Sequence, residues 1–146
     1  EDPCCKISTF LKKSKSNKYV YAKGRRKQST AVVKLFEGKG KTIVNDKPIE
    51  EYFFGVFSKR KYEKPYEVTD SLNRFWAKVN VSGGGMRGQL DAITLALSRA
   101  LSKYNPSVYR APLKKEGLLT VDSRVRERRK AGLGGRARAK KQSPKR

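Results

Sequence analysis

From Phe75 to Lys103 the chain alternates, breaks on glycine and then turns helical, and few folds accommodate that order. Ala77, Val79 and Val81 share one side of a period-two pattern, against Lys78, Asn80 and Ser82 on the other, which predicts a strand with one buried face. Gly83-Gly84-Gly85 stops it. Leu90, Ile93, Leu97, Ala100 and Leu101 then recur at helical spacing within Met86–Lys103, so a long helix starts at the glycines with a single apolar stripe. Asn105-Pro106 ends that helix, because the residue before a proline avoids helical backbone.

A stripe of this kind needs a sheet to cover, and the upstream sequence supplies one. Val20 to Lys23 reads as a short strand and Gly24-Arg25-Arg26-Lys27 as a basic turn. Ser29 to Glu37 alternates, with Ala31, Val33 and Leu35 on the buried side. Gly38-Lys39-Gly40 signals a hairpin that returns as Lys41 to Val44, and Asn45-Asp46 signals a second turn. Ile49, Tyr52, Phe53 and Phe57 fit one face of a short helix, with Phe54 off the stripe and Trp76 on the far face of the sheet. Pro65 is expected to interrupt any helix through Ser58–Glu63, while Tyr66–Asp70 is ambiguous. Ser107 to Lys115 reads as a further short helix and Leu118 to Val121 as a short strand. The sum is an α+β fold, a sheet of about four strands packed with helices.

The chain divides into three parts. Residues 1–18 form a basic arm, in which Lys12, Lys13, Lys15 and Lys18 alternate with Ser and Asn. Residues 19–122 are the globular domain. Residues 123–146 hold eleven Lys or Arg and one acid, Glu127, with Val125 and Leu133 the sizeable apolar residues. Such a segment buries too little surface to offset its ordering entropy, so a long, extended basic tail that orders on a partner is expected. Extended, Arg129–Arg146 reaches up to roughly 60 Å at about 3.3 Å per residue.

The whole chain carries 36 Lys or Arg against 13 acids, a formal net charge of +23. That charge repels itself without a polyanion, and nucleic acid is the partner that counterion release rewards most. No run of about eighteen apolar residues exists to span a membrane, and the tail lacks the apolar face of a membrane-active helix. His is absent, which removes the commonest general base, and no nucleophile elbow, P-loop or carboxylate pair appears, so neither catalysis nor a small-molecule substrate is expected. Cys4 and Cys5 are adjacent, unsuited to a metal site, and read as free thiols. No cofactor is expected either. Gly83-x-Gly85-x-x-Gly88 imitates a dinucleotide fingerprint, but Lys103-Tyr104-Asn105-Pro106 occupies the region where a ribose-binding acid would stand. The same glycines, with Gly84 and Gly85 beside Arg87 and Gln89 at a helix start, suit an RNA phosphate.

The motifs run in one order. Gly24-Arg25-Arg26-Lys27 leads to Gly38-x-Gly40 and Val44-Asn45. Val81-Ser82-Gly83-Gly84-Gly85-x-x-Gly88-Gln89 runs into Ala92-Ile93 and Ser98-Arg99-Ala100-Leu101. Leu118-Leu119-Thr120-x-Asp122-x-Arg124, Glu127-Arg128-Arg129-Lys130 and a terminal Lys145-Arg146 complete the series. Over residues 19–146 this resembles the bacterial-type family of the ninth protein of the small ribosomal subunit. The resemblance implies a fold like the second domain of the fifth small-subunit protein and a place in the subunit head. It implies small-subunit ribosomal RNA, neighbouring head proteins and P-site tRNA as partners, in a bacterial cytoplasmic ribosome or in that of a chloroplast or mitochondrion.

On this reading the ribosomal RNA contacts are Lys23, Arg25, Arg26, Lys27, Gly84, Gly85, Arg87, Gln89, Arg110, Lys115, Arg124, Arg126, Arg128, Arg129, Lys130, Arg136, Arg138, Lys140 and Lys141. Lys145 and Arg146 would approach the tRNA anticodon stem-loop. The tail departs from the family pattern at Gln142-Ser143-Pro144-Lys145-Arg146, where an aromatic residue is replaced and a proline precedes the final pair. Charge alone would also fit a general nucleic-acid binder or RNA chaperone outside the ribosome.

Overall fold

A computed structural model describes residues 19–128. The expectations that concern residues 1–18 and 129–146, including Cys4, Cys5 and the tail tip, lie outside the described residues. The elements run β1 (Tyr19–Arg26), β2 (Ser29–Glu37), β3 (Ile43–Val44), β4 (Lys47–Pro48), α1 (Ile49–Tyr52), α2 (Val56–Val68), β5 (Phe75–Ser82), α3 (Met86–Tyr104) and α4 (Pro106–Lys115). They make an α+β domain with a mixed sheet in the order β1-β2-β5-β3-β4. The described sheet has five strands rather than about four, because the Asn45-Asp46 turn forms a minimal hairpin between two-residue strands.

α3 lies across one face of β1 and β2, with α2 and α4 packed against it. Its stripe residues Leu90, Ile93, Leu97, Ala100 and Leu101 meet Ala31, Val33, Leu35, Ala77 and Val79 in one core. Each fully buried Leu or Ile there contributes about 1.5–3 kcal/mol. The closest approach is at Gly24, where an added Cβ would stand 2.1 Å from the carbonyl oxygen of Ala92. This corrects the expected turn at Gly24–Lys27. Gly24, Arg25 and Arg26 continue β1, and only Lys27-Gln28 turns, with Lys27 at φ 54°.

The expected hairpin after Gly38 does not form. β3 crosses to the other side of β5 and pairs with it in parallel, with Val44 opposite Val79. Asn45 secures that crossing. Its side chain donates to the Val81 carbonyl and accepts from the Val81 N–H, each at 2.9 Å, so the amide acts as one more rung of the ladder.

The expected Ile49–Phe57 helix breaks. Phe53 is extended and Gly55 has φ 94°, which resets the helical phase. Phe53 is therefore buried while Phe57 is exposed beside Phe54, and Tyr62, Pro65 and Tyr66 are the residues that α2 buries. Pro65 does not interrupt α2. Proline removes the N–H that would bond the carbonyl four residues earlier. That carbonyl, on Lys61, is met by the Thr94 hydroxyl at 3.3 Å, which also reaches the Leu90 carbonyl at 2.9 Å.

Leu118–Val121 is not a strand. Gly117 at φ 68° ends α4, the Leu118 N–H bonds back to the Leu113 carbonyl at 3.0 Å, and Leu118 and Leu119 pack on the core margin. The nearby edge of β1 is occupied by side chains. Arg99 donates to the Lys23 carbonyl at 2.9 Å and Lys103 to the Tyr21 carbonyl at 3.1 Å, which protects an edge that would otherwise invite pairing.

Candidate nucleic-acid interface

Three segments distant in sequence line one groove. They are the Lys27–Ser29 turn, the Gly84-Gly85 loop with the first turn of α3 (Met86, Arg87 and Gly88), and Val125-Arg126 at the start of the basic segment. Gly83 and Gly84 sit at φ 72° and 63°, the left-handed region that side chains resist. Gly84 also lies against Ser29, where a Cβ would fall 2.0 Å from the Ser29 Oγ. Glycine thus lets the loop fold onto the turn. The Ser29 hydroxyl is buried, yet it has no hydrogen-bond partner among the described residues. Gly85 stands at the N-cap of α3 and offers no side chain to its first-turn amides.

These features suit an anion. Unpaired amides at a helix start carry partial positive charge, and Lys27, Arg87 and Arg126 add full charges around them. Gln89 is already committed. It accepts from the Tyr52 hydroxyl at 2.9 Å and donates to the Gly83 carbonyl at 3.1 Å, so it shapes the loop from within.

The other anticipated residues separate. Arg26 turns inward, its side chain 14% exposed, and pairs with Asp122 at 3.0 Å and Asp91 at 3.7 Å. It also donates to the carbonyls of Asp122 at 3.3 Å and Arg124 at 2.7 Å. Arg124 closes a fork on Asp122, with Nη2 at 2.8 Å from Oδ2 and Nε at 3.0 Å from Oδ1. The Arg124 side chain and backbone N–H, with Arg26 nearby, hold the Asp122 carboxyl far below the usual carboxylate range, and Asp122 raises the Arg124 guanidinium in return. Lys61 completes the cluster by pairing with Asp91.

Lys23 and Arg25 belong to the sheet face opposite α3. Arg110 lines a second recess with Arg99 and Lys103, and Lys115 is exposed at the end of α4. Arg128 is exposed at the limit of the described residues, beyond which Arg129, Lys130, Arg136, Arg138, Lys140, Lys141, Lys145 and Arg146 lie. Sequence reasoning missed Ser29, Lys61, Arg99 and Lys103. Ser29 looked like an ordinary strand start, Lys61 had no local motif to single it out, and the motifs that hold Arg99 and Lys103 gave no sign that both reach the edge of β1. Among the described residues no His, Cys, Asp and Glu cluster could hold a metal, and no helix is long and apolar enough to cross a membrane.

The fold and this groove define a small basic α+β protein, and comparison with known proteins places it among those of the small ribosomal subunit. The family described as Ribosomal protein S9/S16 matches residues 24–146. The small ribosomal subunit protein uS9 of Methylacidiphilum infernorum is 47% identical over 119 residues, 82% of this chain and 87% of its own length. That of a Thermus thermophilus strain is 48% identical over 112 residues, 77% of this chain and 87% of the relative. That of Maridesulfovibrio salexigens is 44% identical over 131 residues, 90% of this chain and 99% of the relative. The chain belongs to the Ribosomal protein S9/S16 family.

Proposed function

We propose that the protein is a structural constituent of the head of the small ribosomal subunit, in a bacterial cytoplasmic ribosome, and that it works by binding small-subunit ribosomal RNA. The observation that carries this is the meeting of Lys27, Arg87, Arg126 and the uncapped start of α3 around the buried Ser29 hydroxyl, which has no partner among the described residues. An RNA phosphate would satisfy the amides and relieve the crowded cations together. Residues 19–122 act as the docked domain, residues 1–18 as an arm, and residues 123–146 as a cationic tail. The latch of Arg26 on Asp122 and Arg124 sets the point from which that tail departs.

The tail is proposed to lie along RNA and to bring Lys145 and Arg146 toward the anticodon stem-loop of P-site tRNA. Neighbouring head proteins complete the setting. The protein acts by position and charge, without catalysis.

Two measurements test these steps. Arg87→Ala with Lys27→Ala should weaken binding to small-subunit ribosomal RNA and flatten its salt dependence by about 0.7–0.9 per lost phosphate contact. An unchanged slope would remove the groove from the interface. Small subunits reconstituted with protein lacking Pro144–Arg146 should assemble normally and bind P-site tRNA more weakly. Unchanged tRNA affinity would confine the protein to assembly and scaffolding. A general nucleic-acid binder would instead show equal affinity for arbitrary duplex DNA and for ribosomal RNA.

A further inference from the structure

Among the described residues the helices lie on one side of the sheet, and the other side is open. Strand register puts its side chains in rows. Tyr19, Phe36 and Trp76 form one row across β1, β2 and β5, and Tyr21, Lys34 and Lys78 form the next. In the first row Phe36 stacks on Trp76 at 4.5 Å between centroids and 14° between planes, and Tyr19 leans on Phe36 at 5.6 Å. Trp76 is closed on another side by Gly40, whose Cβ would stand 2.8 Å from the indole. The pair Phe36–Trp76 is therefore a floor. Tyr19 and Tyr21 are the accessible rings, 50% and 41% exposed.

Each accessible ring is accompanied by a lysine. Lys34 Nζ stands 5.3 Å from the Tyr19 centroid, and Lys23 Nζ 5.8 Å from that of Tyr21. Lys78 pairs with Asp46 at 3.4 Å, the acid this face brings to it. A face meant for a folded protein would be apolar at its centre and poor in charge. Here cations are threaded between rings, the combination that binds unpaired nucleotides through base stacking and phosphate neutralisation together. A duplex hides its base faces and could use the lysines but not the tyrosines.

We propose that this open sheet face is a second RNA site, distinct from the glycine-loop groove, and that it takes single-stranded RNA with bases stacking on Tyr19 and Tyr21. The choice of RNA as occupant rests on the ribosomal reading above, while the site itself rests on the register and exposure of these side chains. Because both tyrosines are exposed, their replacement should leave the fold intact.

The test uses the full chain with a ten-nucleotide oligouridylate and a ten-base-pair RNA duplex as probes, at matched salt. Tyr21→Ala should lose roughly tenfold in affinity for the single strand, as expected for removing one stacked base, and change duplex affinity little. Tyr21→Phe should bind like the parent, since the ring and not the hydroxyl is required. Lys34→Ala should reduce the single-strand salt slope by about 0.7. Single-strand affinity for Tyr21→Ala within twofold of the parent overturns the proposal. So does a Tyr21→Phe loss as large as that of Tyr21→Ala, or equal losses for strand and duplex. If Tyr21→Ala instead binds the oligonucleotide normally but depletes a neighbouring protein from reconstituted subunits, the face docks protein and the proposal fails. The groove reading is judged separately, since Arg87→Ala with Lys27→Ala addresses it and Tyr21→Ala does not. Failure of the parent to bind the oligouridylate would also overturn the proposal.

Discussion

Arg26 and Asp122 stand 96 residues apart in the chain and meet at 3.0 Å, where Arg26 also donates to the Arg124 carbonyl at 2.7 Å. The end of the first strand thus holds the root of the C-terminal segment. Arg26→Ala removes these charge-assisted bonds and leaves Asp91 and Asp122 short of a partner. It should destabilise the domain by about 1–3 kcal/mol, and Arg26→Lys should recover only part, lacking the planar fork. Thermal unfolding measures the loss, and hydrogen exchange at residues 122–126 should accelerate more than in the core.

Asp122 supplies a pH dependence with a definite sign. Its carboxyl is held far below the ordinary range, first by the Arg124 side chain, then by the Arg124 N–H and the nearby Arg26. A group whose folded value is depressed contributes stability above its unfolded value and loses it as pH falls toward the folded one. The tail root should therefore be fully anchored at neutral pH and start to release below about pH 4, the unfolded carboxylate range. The Arg124 amide resonance, followed by NMR through acid titration, should report this. Asp122→Asn should abolish the titration.

Gly24→Ala tests the packing of β1 on α3. The new methyl would lie 2.1 Å from the Ala92 carbonyl and 2.7 Å from the Ala96 nitrogen, both backbone atoms that cannot turn aside. Overpacking of this kind costs about 1–3 kcal/mol or more. The melting temperature should fall by about 4–8 °C per kcal/mol for a domain of this size. A wild-type melting temperature would show that the helix can retreat freely.

Asn45→Ala should cost more than an exposed turn residue normally does. It deletes both bonds to Val81, orphaning an N–H and a carbonyl, at about 1–3 kcal/mol for unpaired backbone groups. It also puts Ala at φ 45°. Denaturant unfolding measures the sum, and hydrogen exchange at Val81 localises it.

Much of the fold was legible in residues with a strong local period. The strands through Ala31–Leu35 and Ala77–Val81, the helix from Met86, and its stop at Asn105 all follow from patterns that burial on one face imposes. The errors share a cause. Gly24 and Pro65 looked like punctuation, since glycine and proline usually break elements. Here a neighbouring helix removes the reason for a break, by needing the space of a Cβ in one case and by Thr94 reaching the freed carbonyl in the other. Phe57 failed because a three-residue interruption reset the helical phase.

The candidate groove shows the same division. The glycines, Arg87 and the basic turn were visible as composition, and so was the tail. Charge is a property of residue type and needs no fold to be counted. Which cations face outward was not visible, because Arg26 is drawn inward by Asp122, 96 residues away in the chain. The sequence by itself determined the α+β class, the core stripe of α3 and the excess of positive charge, all set by local periodicity and residue chemistry. Only the tertiary structure decided that β3 crosses to pair with β5, that the Ser29 hydroxyl is buried beneath the glycine loop with no partner among the described residues, and that Tyr19 and Tyr21 share an open face with their lysines. Those outcomes depend on register and crossing between distant segments, where many arrangements satisfy the same local pattern and packing selects one.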